Sequence, residues 1–326
     1  MIASLKSSIP TSWMAAYHAA LARLADAWYR HPSRHLIVIG VTGTNGKTTT
    51  AYFIAKALEA SGFPTGCTTT AILKIGAREW INPTKMTMPG RFFLQSMLRK
   101  MVDAGCRFAV IETSSQGLIQ SRHVGIRYDI AVFTNLTPEH IEAHGGFENY
   151  QRAKRILFER LASLPPKFLV KERLPRAVVI NADDPYGVYY AEAAGPADVR
   201  WYGIKDQRGL QAQDVEERAD GSCFTVRGIR ARVQLPGRYN IENALAALAT
   251  VEACGVDLAR AAERIALVTR VPGRFDRVEV GQPWTAIIDY APEPESFRRL
   301  YETLSLLPHK RFIHVLGSCG GGRDVS

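Results

Sequence analysis

The chain has 326 residues, enough for two domains, and its 46% apolar content supports packed cores. Its 41 Lys and Arg against 31 Asp and Glu leave a net charge of +10, which points to an acidic partner: a nucleotide, a phosphorylated substrate, nucleic acid or an anionic membrane. No Lys/Arg block is long enough to argue for nucleic acid, the five scattered cysteines exclude a zinc ribbon and suit a reduced cytoplasmic setting, and no apolar run reaches membrane-span length.

Residues 1–35 read as a short leader and one helix. Trp13, Tyr17, Leu21, Leu24 and Trp28 share a face at helical spacing. That face suits docking on the main domain. Peripheral contact with a membrane surface or a partner is the alternative, because aromatic and basic residues mix there. His18, Arg23 and Asp26 interrupt the apolar run, so it is no signal-peptide core.

Leu36 to Ile39 is apolar without alternation, as expected of a buried parallel strand. Glycines between Gly40 and Gly46 let the backbone turn sharply and approach an anion. Lys47, Thr48 and Thr49 follow, and Ala51 to Ala60 reads as a helix. Strand, glycine-rich turn, Lys-Thr and helix is an arrangement that cradles nucleotide phosphates. Lys47 would neutralise the outer phosphates and the Thr48 hydroxyl would ligate Mg²⁺. The strict G-x-x-x-x-G-K-[ST] pattern fails at one position, where Val41 replaces the first Gly.

Ala71 to Trp80 reads as a hairpin turning near Gly76, and Phe92 to Val102 as a helix. Phe108 to Ile111 is the next buried strand, ending at Glu112. A carboxylate at the C-terminal end of a parallel strand faces the crevice where such sheets bind ligands, within reach of a metal on Thr48. Ile130 to Phe133 is another strand, and it delivers Asn135 and His140 to the same edge. A helix carrying Lys154 follows. The convergence of Glu112, His140 and Lys154 on the edge of the phosphate loop makes them the candidate catalytic groups.

Ala177 to Ile180 is a further strand, and residues 200–235 read as a small antiparallel sheet. Helices follow over Ile241 to Ala253 and on to about Leu267, and Val271-Pro272-Gly273-Arg274 marks a domain boundary. Beyond it lie a strand (Ala286 to Ile288), a helix (Ser296 to Leu306) and a strand (Phe312 to Leu316), before GSCGGGRDVS ends the chain. About 50 residues are too few for a core of their own. The expectation is therefore a chain cut short. The fold class is α/β: a central, mostly parallel sheet of phosphate-loop type flanked by helices, a small antiparallel sheet, and the start of a Rossmann-like C-terminal domain.

VTGTNGKTTT, IETSSQGL, FTNLTPEHIEAHGGFENYQRAKRILF, NADDP, LPGRYNIENALAA, VPGRF and DYAPEP, in that order, closely resemble the Mur ligases. The likeness is strongest to their MurE-like members, which add the third amino acid to a UDP-N-acetylmuramoyl peptide. It covers roughly residues 36 to 324. The resemblance implies three parts: an N-terminal segment (1–35), a central ATP-binding domain (36–270) and an incomplete C-terminal domain (271–326). It also implies ATP-dependent amide formation through an acyl phosphate.

By position, Gly43, Thr44, Asn45, Gly46, Lys47, Thr48 and Thr49 would hold the ATP phosphates, with Asn135 near them. Asn243 would lie against adenine, and Arg274 and Asp289 near the ribose and phosphates. Two Mg²⁺ sites are implied, Thr48 with Glu112 and Glu112 with His140. Lys154 matches the family lysine that becomes a carbamate. Thr87, Ser114 and Arg122 match positions that touch the UDP-muramoyl peptide. The implied partners are that peptide and an amino acid, with no nucleic acid, for a cytoplasmic monomer.

Three departures stand out. Gln116 replaces a His, Pro292 replaces the His of D-Y-A-H, and Glu139 and Glu142 replace two Asp. The N-terminal domain that grips the UDP moiety is missing from the resemblance, as is the segment that selects the amino acid. A folylpolyglutamate-type ligase and a non-catalytic ATP-binding chain that needs a partner are the competing readings.

Overall fold

The computed structural model describes residues 11–169 and 172–317. The expected leader and the glycine-rich stretch 318–326, with Cys319, lie outside the described residues.

Helix α1 (Thr11–Trp28) leads through a 3-10 turn (Pro32–His35) into β1 (Ile37–Thr42). Then come α2 (Lys47–Leu58), β2 (Thr65–Thr68), β3 (Ile72–Ile75), β4 (Arg78–Ile81) and α3 (Arg91–Asp103). Next are β5 (Phe108–Glu112), α4 (Ser115–Ile119), β6 (Ile130–Phe133), α5 (Ile141–His144) and α6 (Phe147–Ser163). A short ribbon, β7 (Phe168–Leu169) and β8 (Glu172–Arg173), precedes β9 (Ala177–Asn181), α7 (Gly187–Glu192), β10 (Asp198–Gly203) and β11 (Leu210–Gln211). Strands β12 (Gln213–Arg218), β13 (Gly221–Val226) and β14 (Ile229–Val233) form a separate antiparallel sheet. Helices α8 (Arg238–Ala253) and α9 (Leu258–Ala266) follow. The last elements are an antiparallel pair, β15 (Asp276–Val278) and β16 (Ala286–Ile288), and helix α10 (Pro294–Ser305).

The main sheet has nine strands in the order β11-β10-β9-β6-β1-β5-β2-β3-β4. Its strands are parallel from β11 to β2, and β3 and β4 close one edge as an antiparallel hairpin. The sheet's apolar runs are explained by two cores, one on each face. Ile37, Ile39 and Val41 of β1 pack on the side of α2, α8 and α9, while Val38 packs on the other. Phe108 and Val110 oppose Ala109 and Ile111 in the same way, and Ile130 and Val132 oppose Ala131 and Phe133. A strand buried on both faces needs no polar positions. After β5 the chain crosses to the far side of β1 to make β6, so the strand order reverses beside β1. That reversal opens a crevice at the strand C-termini.

Three expectations need correction. The N-terminal helix does dock, but through its small side: Ala22 and Ala25 are buried, and α1 packs against α3. The aromatic stripe points outward, with Trp13 at 73% and Trp28 at 72% exposure. Small side chains allow the closer helix approach, and large ones on that side would hold the helices apart. Second, residues 198–211 extend the main sheet as parallel strands, so the small antiparallel sheet begins only at Gln213. Third, residues 312–316 are not a strand. They run irregular and exposed, and among the described residues no neighbour takes up their backbone groups.

Candidate active site

The glycine-rich loop occupies residues 43–46, and β1 runs through the first two positions of the strict pattern, Val41 and Thr42. Val41 is still part of β1, fully buried and paired with Glu112, so no glycine is required there. Two glycines are required by geometry. Gly43 has φ +149°, and a Cβ there would lie 1.9 Å from Thr134 Oγ1. Gly46 has φ +78° and sits under Asn243, whose Oδ1 would be 2.2 Å from a Cβ. Only glycine takes these conformations without strain.

The loop is held from β6. The Thr44 amide donates to the Asn135 carbonyl at 2.8 Å, and the Asn45 amide donates to Asn135 Oδ1 at 2.9 Å. Thr134 Oγ1 donates to the Asn45 carbonyl at 2.7 Å. Asn135 therefore shapes the loop through its own amide. Lys47 opens α2 and donates to the Thr44 carbonyl at 2.7 Å.

Thr48 Oγ1 donates to Glu112 Oε2 at 3.0 Å, and both residues are buried. The Thr70 amide also donates to Glu112 Oε2, at 2.7 Å, and the Thr70 hydroxyl lies 3.1 Å from both carboxylate oxygens. The end of β5 thus presents a fixed, desolvated carboxylate beside the start of α2. Among the described residues no three His, Cys, Asp or Glu side chains form a metal-holding cluster. A site of one hydroxyl and one carboxylate still fits Mg²⁺, which takes few protein ligands and completes its shell with water and phosphate.

Lys154, on α6, is 1% exposed and donates to the Gly43 carbonyl at 2.8 Å. Burial, reinforced by the charge of Lys47, pushes its amine well below the usual lysine range. The Tyr150 ring lies one turn earlier, with the Lys154 nitrogen 4.0 Å from its centroid. His140 caps α5 in a left-handed conformation (φ 55°, ψ 30°), with Nε2 3.5 Å from Glu139 Oε1.

Arg274 reaches back from the C-terminal segment. It donates to Thr48 Oγ1 at 3.1 Å and to the Tyr290 carbonyl at 3.0 Å. Asp289 accepts from the Phe275 amide at 2.7 Å, and its burial raises its pKa above the usual carboxylate range. Asn243 accepts from Thr50 Oγ1 at 3.0 Å and donates to Asn240 Oδ1 at 3.2 Å, so both ends of its amide are already engaged. Ser114 caps α4 by accepting from the Gly117 amide at 3.1 Å. Arg122 donates to the Met88 carbonyl and to Gln120 Oε1, and Thr87 Oγ1 sits 2.8 Å from the Thr70 hydroxyl.

All of the site residues read from the sequence except Gly43 line one cleft of about 370 Å³, joined there by Gln116, Glu139 and Pro292, three of the positions that depart from the family pattern. Sequence reasoning missed Thr70, Tyr150 and Glu293. Glu293 caps α10 and accepts from Asn45 Nδ2 at 2.6 Å, tying the C-terminal segment to the phosphate loop. Tyr150 could have been found from its four-residue spacing to Lys154. Thr70 carried no signal, since it lies in a loop with no motif around it.

A glycine-rich loop at the reversal point of a parallel sheet, with a buried acid and a buried amine beside it, is an α/β architecture suited to holding an anionic ligand. Comparison with known proteins narrows this. The Mur ligase middle domain matches residues 41–251. A UDP-N-acetylmuramyl-tripeptide synthetase of Roseiflexus sp. (strain RS-1) is 41% identical over 309 residues, covering 92% of this chain and 60% of that protein. A UDP-N-acetylmuramoyl-L-alanyl-D-glutamate–2,6-diaminopimelate ligase of Geobacillus thermodenitrificans (strain NG80-2) is 40% identical over 324 residues, covering 98% of this chain and 64% of that protein. A solved ligase of the latter name superposes with a TM-score of 0.70 at 28% identity, covering 89% of this chain and 57% of that one. Folylpolyglutamate synthase from Mycobacterium tuberculosis shares the fold, with a TM-score of 0.69 at 20% identity over 88% of this chain and 70% of that one. The chain belongs to the Mur ligase family. It spans 60% and 64% of the length of the two curated relatives.

Proposed function

We propose that the cleft binds Mg-ATP, and that the chain takes part in ATP-dependent ligation of an amino acid to a UDP-N-acetylmuramoyl peptide, in the manner of the MurE-like ligases it resembles. The observation that carries this reading is the pairing of Thr48 with Glu112 at the phosphate loop, opposite the buried amine of Lys154.

In this reading the loop 43–46 and the start of α2, Lys47 to Thr49, hold the phosphates, because the free amides of a helix N-terminus and its dipole favour an anion, while Asn135 keeps the Thr44 and Asn45 amides for shaping the loop. Lys47 turns from the Thr44 carbonyl to the outer phosphates. Thr48 and Glu112 would hold the first Mg²⁺, and Glu112 with His140 would hold the second. Bound Mg²⁺ supplies charge neutralisation at the transferring phosphoryl group. Burial and the charge of Lys47 favour the neutral form of the Lys154 amine, and a neutral amine can add carbon dioxide and lose a proton. Lys154 would then become a carbamate, an anion suited to the metal side of the cleft. Arg274 and Asp289 approach the nucleotide from the C-terminal segment, and Asn243 borders its base end. Thr87, Ser114 and Arg122 line the side proposed for the muramoyl peptide. A cytoplasmic setting goes with this reading, in keeping with the four cysteines among the described residues, all free.

Phosphate release from ATP tests this directly. Release that needs both a UDP-muramoyl dipeptide and a diamino acid supports the reading. Release that needs folate and glutamate instead moves the chain to the folylpolyglutamate class. Mg-ATP binding without turnover on either pair leaves a nucleotide-binding chain that needs a partner.

A further inference from the structure

Tyr150 is 1% exposed, yet three functional segments meet on it. Its hydroxyl lies 3.1 Å from Thr44 Oγ1, in the phosphate loop. The same hydroxyl lies 3.3 Å from Glu139 Oε2, on the loop that carries His140, so its one proton is shared between these two acceptors. Its ring forms the floor under the Lys154 nitrogen, 4.0 Å from the centroid. A tyrosine that only filled space would not need its oxygen at this junction, and phenylalanine would fit the same volume.

Thr44 itself is not otherwise tied to α6. Its hydroxyl donates to the Thr137 carbonyl at 3.1 Å and accepts from the Thr137 amide at 3.0 Å. The phosphate loop is therefore fastened to the β6 loop, and Tyr150 fastens that joint to the helix of Lys154. A second ring, that of His144, meets Tyr150 edge-on at 5.1 Å and supports it from the α4 side, where His144 Nε2 lies 3.1 Å from Ser115 Oγ.

We propose that Tyr150 is a positioning residue for nucleotide binding: its hydroxyl sets the phosphate loop against the Glu139–His140 loop, and its ring sets Lys154 against both. This deepens the Mg-ATP reading of the cleft and rests on it.

Calorimetric titration of Mg-ATP into the wild-type chain, Tyr150→Phe, Thr44→Val and the double variant tests the hydroxyl. Loss of one hydrogen bond in a buried network predicts about tenfold weaker binding in Tyr150→Phe. Because the two oxygens act on each other, the double variant is expected to bind no more than about threefold more weakly than the poorer single variant. Melting temperatures measured alongside separate positioning from general loosening. Wild type that binds no Mg-ATP sinks the reading of the cleft. Wild type that binds, with Tyr150→Phe binding equally well or with fully additive losses, sinks only the role of Tyr150. A loss of affinity that merely follows a fall in melting temperature also overturns it. Should Tyr150→Phe fail to fold, Thr44→Val carries the test, since it breaks the same bond from the other side and must show the same loss. For the ring, labelling of Lys154 by an amine-reactive reagent is expected to stay slow in Tyr150→Phe and to rise at least about tenfold in Tyr150→Leu. Equal rates in the two variants would remove the ring from the account.

Discussion

Replacing Thr70 by Val is the sharpest way to ask how the Glu112 carboxyl is held in place. Valine preserves the shape of the side chain and deletes only the hydroxyl. The carboxylate is 1% exposed and has three donors within reach: the Thr70 amide at 2.7 Å, Thr48 Oγ1 at 3.0 Å and the Thr70 hydroxyl at 3.1 Å. The first two survive the substitution. A hydrogen bond to a charged group contributes about 1.5–3 kcal/mol, so one lost donor costs about 2 kcal/mol. Thr87 Oγ1 also loses its neighbour at 2.8 Å, which adds up to about 1 kcal/mol. Urea unfolding without nucleotide should show a loss of about 2–3 kcal/mol with an unchanged m-value, because the surface exposed on unfolding is the same. Stability within about 0.5 kcal/mol of wild type would refute the reasoning. It would mean that Glu112 does not depend on the Thr70 hydroxyl.

Gly46→Ala puts a Cβ at φ +78° and 2.2 Å from Asn243 Oδ1, so Mg-ATP binding should vanish and the melting temperature should fall. An unchanged melt and affinity would contradict the loop geometry. Glu79 is held at a pKa of about 2, against burial, by hydrogen bonds from Lys56, Tyr52 and Lys74. Its folded pKa lies below the unfolded value, so its contribution is complete above about pH 4.5 and is lost as pH falls through about 2. Discounted for partial solvent screening, Glu79→Gln should cost about 1–2 kcal/mol at pH 7. The gap to wild type should close between pH 4.5 and 2 in urea titrations, and a gap independent of pH would contradict this. On α1, Trp13→Ala and Trp28→Ala should leave stability within about 0.5 kcal/mol, while Ala25→Leu should cost about 1–3 kcal/mol by overpacking. Thermal melts in which the tryptophan variants lose more than Ala25→Leu would reverse the assigned docking face.

Much of the architecture could be read from the chain because burial on both faces leaves a simple record. The apolar runs at 36–39, 108–111, 130–133 and 177–180 became strands with ends shifted by up to three residues. The phosphate loop was legible because Gly46-Lys47-Thr48 can serve few purposes between a strand and a helix. The aromatic stripe of α1 misled because periodicity shows which residues share a face, not which face is covered. Alanine-lined contact is quiet on any hydropathy scale. Residues 200–203 looked like part of a small sheet because a short strand near the sheet's edge resembles a hairpin strand until its partners are known. The Phe312–Leu316 run had strand composition but no pairing partner among the described residues, and composition alone does not make a ladder. Within the site, Lys47, Glu112, His140 and Lys154 announced themselves by their motifs, while Glu293 was missed and Thr70 and Tyr150 act through hydroxyls that sequence leaves anonymous.

The central claim, that this cleft holds Mg-ATP by its phosphate loop, is tested most directly by calorimetry on the wild-type chain and on Lys47→Ala. Wild type should give a saturable, magnesium-dependent heat with one nucleotide per chain, and the variant, which keeps the loop backbone but loses the cation, should give none. Flat traces for both, or equal binding by both, would contradict the account.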